Sequence, residues 1–132
     1  MDMKRRPPLW WALVYRRFAT AQLLIRHGAD LNLELEDGHL LSTYIYNGLD
    51  LPTLELMLDY GANPNCADRI GNTPLINAIQ KDDPAMVRRL LRYHADPNQR
   101  LVSRFQPTVL EYAEKRQQKE IAKLLREAGA KR

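Results

Sequence analysis

The sequence predicts an all-α solenoid, a row of stacked helix-turn-helix units with short β-turn fingers, in place of a single globular core. Three observations carry that expectation. The first is a repeat of 33 residues: Leu-Asp-Tyr-Gly-Ala-Asn-Pro-Asn at 58–65 stands over Leu-Arg-Tyr-His-Ala-Asp-Pro-Asn at 91–98, and Ile-Arg-His-Gly-Ala-Asp-Leu-Asn at 25–32 stands one step earlier. The second is the same step at single positions, Asn32, Asn65 and Asn98, and Gly38 and Gly71. The third is length, because 132 residues divide into four such units and leave no room for a second domain. A fixed period in this range marks an array of small units, each burying its apolar face on its neighbours. The expected division is one domain over 1–132, with units at 7–31, 32–64, 65–97 and 98–132.

The first unit lacks its turn and opens at Pro7-Pro8, residues suited to a first helical turn. A short helix is expected over Leu9 to Tyr15 and a second over Phe18 to His27, closed by Gly28, which takes a left-handed backbone without a Cβ clash. Trp10 and Trp11 cannot both face inward on so short a helix. The simpler expectation is that one packs inward while the other shields the open end; the functional alternative is an aromatic anchor or a self-association surface.

The second unit begins at Asn32. Leu33-Glu34-Leu35-Glu36-Asp37-Gly38 alternates apolar and acidic residues and ends in Asp-Gly, a hairpin signal. Leu40-Leu41-Ser42 supplies neither a cap nor a fixed backbone angle, so this unit is expected to be softer. Its helices are expected at Leu41 to Asn47 and Leu51 to Tyr60, the second closed by Gly61.

The third unit has the clearest signals. Thr73-Pro74 opens the inner helix and Asp82-Asp83-Pro84 the outer one, each joining a side-chain cap to a preset proline angle. His94 stands where glycine closes the other units, so a non-glycine residue is expected in the left-handed region there. The fourth unit runs 35 residues from His94 to Gly129, placing two extra residues between Asn98 and Leu110 and lengthening the basic finger Gln99 to Gln106. Helices are expected over Thr108 to Arg116 and Lys119 to Ala128. Arg126 stands where Leu58 and Leu91 stand earlier, as suits the wet outer face of a last unit.

The turn Asp68-Arg69-Ile70-Gly71-Asn72, the Thr73-Pro74-Leu75 that follows, and the 33-residue period together resemble the ankyrin repeat, over roughly residues 8 to 130. The resemblance implies a curved stack whose fingers and inner helices form one concave face, which binds other proteins and performs no chemistry. Carried over by position, it implies partner-binding residues Glu36, Asp37 and His39 in the second finger, Arg69, Ile70 and Asn72 in the third, and Arg104 and Phe105 in the fourth. At the inner-helix ends it implies Tyr15, Gln80 and Lys81, with Lys115 and Arg116 beside them. Tyr46 is bulky where such helices usually carry alanine, so it too is expected to reach the groove.

Charge bears on the partner. Residues 1–28 hold six Lys/Arg against one Asp, residues 29–98 five against eleven acids, and residues 99–132 nine against four. Basic ends around an acidic middle fit a mixed protein partner better than a nucleic acid, which favours a uniform basic stripe. The acidic second finger (Glu34, Glu36, Asp37) could meet a basic cleft such as a nuclease's. That chemistry suits a small inhibitor or immunity-type protein neutralising a toxic enzyme; the alternatives are a scaffold or adaptor fragment, or nucleic-acid binding through the basic ends. No catalytic, metal or cofactor residues are expected. His39 near Asp37 is the only His–acid neighbourhood of note, and it reads as turn chemistry. The single Cys66 permits no intrachain disulfide, and no apolar run approaches the roughly 20 residues that span a bilayer, so a cytoplasmic protein is expected.

Overall fold

The structure, a computed structural model, describes residues 7–32, 34–35, 38–39, 51–67 and 70–132, with 34–35 and 38–39 described by their backbone. Within these residues the helices are α1 (Pro8–Val14), α2 (Phe18–Arg26), α3 (Leu51–Asp59), α4 (Pro74–Gln80), α5 (Pro84–Arg92), α6 (Val109–Lys115) and α7 (Lys119–Glu127). The strands β1 (Glu34–Leu35) and β2 (Gly38–His39) pair antiparallel, Glu34 opposite His39 and Leu35 opposite Gly38; the expected hairpin is there, but Gly38 is a strand residue and not, as an Asp-Gly turn would have it, a central turn residue. Helix α1 packs on α2, α4 on α5 and α6 on α7; outer helix α2 lies against α3, and α5 against α7. The result is the expected all-α solenoid of helix pairs. The helix expected at Leu41 to Asn47, and the softness expected around it, fall outside the described residues.

At α1, α4, α5 and α6 the helix start is set by side-chain caps, by proline, or by both. Thr73 caps α4 by accepting from the Ile76 N–H at 3.3 Å, and Asp83 caps α5 by accepting from the Met86 N–H at 3.2 Å, each with proline next in line. Thr108 and Glu111 form a reciprocal capping box at α6, which holds two otherwise unpaired N–H groups at once. Pro7 opens α1 without a side-chain cap bond.

Every outer helix stops at a left-handed residue: Gly28, Gly61, His94 (φ 73°) or Gly129. The following alanine N–H then reaches back to the helix, Ala29 to the Leu24 carbonyl, Ala62 to Met57, Ala95 to Leu90 and Ala130 to Leu125, at 2.9–3.1 Å. The repeated Gly-Ala is therefore a helix stop. His94 adopts the left-handed backbone expected of it. Inner helices stop in the same way on residues that are not glycine, Arg16 (φ 56°), Asp82 (φ 53°) and Gln117 (φ 60°).

Core side chains lie between neighbouring pairs: Leu9, Leu13 and Ile25 near the first end, then Leu54 and Met57, Leu75, Ile79 and Leu90, and Leu110, Ile121 and Leu125 at the last. Each such side chain, once buried, contributes on the order of 2 kcal/mol. Ala12, Ala78 and Ala113 are buried at one register of the inner helices, where a larger side chain would push the helices apart. Burial at the position of Ile25 and Leu58 gives way to a half-buried Leu91 and an exposed Arg126, whose guanidinium pairs with Glu114 at 2.6 Å. At the other end Trp10 packs on the core and meets Trp11 edge to face (4.8 Å), while Trp11 stacks on Tyr15 (5.9 Å). The two indoles divide their roles as the short helix requires.

Candidate protein-binding face

The third and fourth fingers lean on each other. The Thr73 hydroxyl hydrogen-bonds the Gln99 side chain, whose amide nitrogen also donates to the Asn65 oxygen at 3.3 Å. A Cβ placed on Gly71 would sit 2.7 Å from Val102 Cγ2, so the Val102 side chain rests where only glycine leaves room. The fourth finger is closed by a bridge between Arg100 and Thr108, by Leu101 N–H to the Pro107 carbonyl (2.9 Å) and by Val109 N–H to the Gln99 carbonyl (3.0 Å). Leu101 is its buried anchor, and residues 102–106 form an exposed tip.

On these fingers Ile70 is 69% exposed and Phe105 85% exposed, with the Arg104 guanidinium 5.9 Å from the Phe105 ring centre. Asn72 is half-buried; Gln80, Lys81, Lys115 and Arg116 are exposed around the inner-helix ends. Tyr15, 62% exposed, belongs to the opposite end of the stack, against Trp11. Glu36, Asp37, Tyr46 and Arg69 lie outside the described residues, and His39 is described only as the backbone partner of Glu34. The structure thus joins Arg104 and Phe105 directly, and brings the Ile70 finger against the fourth through Gly71 and Val102. Val102 was not singled out by sequence reasoning; the two-residue insertion that carries it was the available signal.

Beside the fourth finger lies a groove of about 850 Å³ whose walls include Arg100, Ser103, Phe105, Glu111, Lys115 and Arg132. Its carboxylates are already engaged. The Thr108 backbone N–H and hydroxyl hold the Glu111 carboxyl below its ordinary range, and Arg132, then Arg126, do the same for Glu114. These are the signatures of ion pairs and caps. Among the described residues no group of three or more His, Cys, Asp or Glu is placed to hold a metal ion, and no helix is long and apolar enough to cross a membrane.

A stack of antiparallel helix pairs that presents paired fingers with exposed apolar tips is a repeat solenoid built to offer a surface. The chain belongs to the ankyrin repeat family: the family model for three copies of the ankyrin repeat matches residues 41–131. A solved ankyrin repeat domain from Acinetobacter baumannii superposes with a TM-score of 0.80 at 30% identity, covering 96% of this chain and 66% of that one. The ankyrin repeat protein YahD of Escherichia coli K12 is 28% identical over 98% of this chain and 83% of its own length. Mouse ankyrin repeat and SOCS box protein 6 is 35% identical over 50% of this chain, which spans only 16% of that protein. Ankyrin repeats are generally protein–protein interaction modules, and the fold is typically non-enzymatic.

Proposed function

We propose that the chain is one stack over 1–132, with units at 7–31, 32–64, 65–97 and 98–132, that binds a single partner protein through its concave finger and inner-helix face. Tyr15, Glu36, Asp37, His39, Tyr46, Arg69, Ile70, Asn72, Gln80, Lys81, Arg104 and Phe105 are the residues assigned to that face. The observation that carries this reading is the exposure of Ile70 and Phe105 at finger tips. Large apolar side chains held at finger tips are the kind of anchor that dominates interface energies. The role that fits a compact binder of this kind is inhibition of one enzyme, in the manner of an immunity protein, in the cytoplasm; the acidic second finger and the lone, buried Cys66 support it.

The test is capture of partners from the source organism's lysate by the wild type beside an Ile70→Asp, Phe105→Asp variant. One stoichiometric partner, lost by the folded variant, is the expected result, and inhibition of that partner's activity establishes the inhibitory role. Equal capture by both proteins moves the site to the Trp10 and Trp11 end or the convex face. The second reading, an adaptor within a larger assembly, draws on the small share of the mouse relative that this chain spans. It predicts capture of several proteins that also contact one another.

A further inference from the structure

The groove beside the fourth finger constrains the partner's chemistry, an inference that rests on the concave face being the binding face. The two-residue insertion produces a finger whose tip holds Phe105 almost wholly in water. Around it cations outnumber carboxylates, and the carboxylates are engaged. Glu111 accepts from the Thr108 N–H at 3.0 Å, and Glu114 is gripped by Arg126 at 2.6 Å and by Arg132 at 2.8 Å. Arg100 donates to the Gln106 carbonyl at 2.9 Å and Arg116 to the Tyr112 hydroxyl at 2.9 Å, both neutral acceptors. Arg104, Lys115 and Arg116 form no ion pair with a described carboxylate, and Arg100 acts on Glu111 through space without a direct ion pair. Arg100 and Lys115 therefore line the groove with the exposed Phe105 ring, and Arg104 stands 5.9 Å from that ring's centre, beside carboxylates that already have partners. An excess of cations along a groove attracts groups of the opposite sign.

We propose that this groove receives an acidic segment of the partner protein, with one aliphatic or aromatic residue packed on Phe105 and flanking Asp or Glu side chains paired with Arg100, Arg104 and Lys115. A peptide fits better than a nucleic acid. Glu111 and Glu114 interrupt the cations along the groove wall, so the positive positions are separate points that suit spaced carboxylates better than an unbroken line of phosphates. Arginine forks suit separate carboxylates held in two-point contact.

The experiment is selection of random 12-residue peptides displayed on phage against the full chain, followed by fluorescence anisotropy on the resynthesised winners. The expected winners carry net negative charge around one apolar residue, bind more weakly as salt rises, and lose at least tenfold in affinity to a Phe105→Ala, Lys115→Glu variant. Selection of neutral or basic peptides, or of none, overturns the inference, as does equal binding by that variant. Displacement of the winners by an equally charged oligouridine at lower concentration overturns it in favour of nucleic acid. An Ile70→Asp, Gln80→Asp variant separates the two levels. Winners lost to it but indifferent to the Phe105 and Lys115 changes reject the acidic segment and leave the concave face standing; winners indifferent to both variants reject both.

Discussion

The side-chain oxygen of Asn65 accepts the backbone N–H of Asp96 at 2.7 Å, across 31 residues of sequence. Its amide nitrogen donates to the His94 carbonyl at 3.3 Å, so the side chain that opens this unit grips the turn that closes it at two points. Asn32 does the same one step earlier, accepting from the Asn63 N–H (2.8 Å) and donating to the Gly61 carbonyl (3.0 Å). Asn98 accepts from the Lys131 N–H at 2.9 Å. Each asparagine is itself steadied by the residue two before it: Asp30, Asn63 and Asp96 accept the N–H groups of Asn32, Asn65 and Asn98. The 33-residue spacing of asparagine is the spacing of these joints.

Asn65→Ala should therefore lower stability by about 1–3 kcal/mol, the sum of three net hydrogen bonds, the one from Gln99 included, in a partly wet setting. Urea unfolding should show an earlier midpoint with an unchanged slope. Asn65→Asp keeps the acceptor and loses the donor, so it should fall between the two.

His94→Gly should stabilise the protein. The left-handed backbone at His94 costs a side-chain-bearing residue about 1 kcal/mol. The added freedom of glycine in the unfolded chain offsets part of that gain. A melting temperature raised by roughly 1–2 °C is expected. A fall would mean that the imidazole contributes more than its backbone strain removes.

Gly71→Ala should be costly for two separable reasons. Its φ of 99° strains any side chain, and the new Cβ would stand 2.7 Å from Val102 Cγ2. A loss of at least about 1 kcal/mol is expected from the backbone alone. Adding Val102→Ala should recover the steric part only, which a double-mutant cycle on denaturation midpoints would resolve.

The acid limb of the stability profile should depend on Glu111 and Glu114. Both carboxyls are held below their ordinary value in the folded chain, Glu111 by Thr108 and Glu114 by Arg132 and then Arg126. Folded pKa values below unfolded ones mean the contribution is complete above the unfolded value and is lost as pH falls through the folded one. Stability should thus drop from about pH 4.5 downward. Glu114→Gln should flatten that limb, and an unchanged limb in melts between pH 3 and 6 would refute the assignment.

Much of the fold was legible because the punctuation is chemical: Gly28, Gly61 and Gly129 mark helix stops, and Thr73-Pro74 and Asp83-Pro84 mark starts. The inner-helix stops were not, because Arg16, Asp82 and Gln117 adopt left-handed backbones that their side chains do not advertise. Gln118 was equally silent. Its buried amide bridges the Ile79 carbonyl at 2.8 Å and the Asp82 carboxylate at 3.3 Å, joining the last inner stop to the one before it. Such a link lives in the distance between units, which one unit's sequence does not encode. Of the candidate face, the exposure of Ile70 and Phe105 could be read from apolar residues in turn positions, but the support beneath them could not. Val102 reads as one more apolar residue until Gly71 is seen under it.

Because Val102 sits on Gly71 and Gln99 is tied to Thr73 and Asn65, the two fingers cannot swing independently. On the proposed reading they present themselves to a partner together. A molecule arriving at one tip meets the other already in position, so engagement needs little rearrangement and its speed is governed by collision and orientation, in the range of about 10⁵–10⁷ M⁻¹s⁻¹ usual for preformed surfaces. On that reading, loosening the joint should slow engagement of the partner before it weakens any single contact.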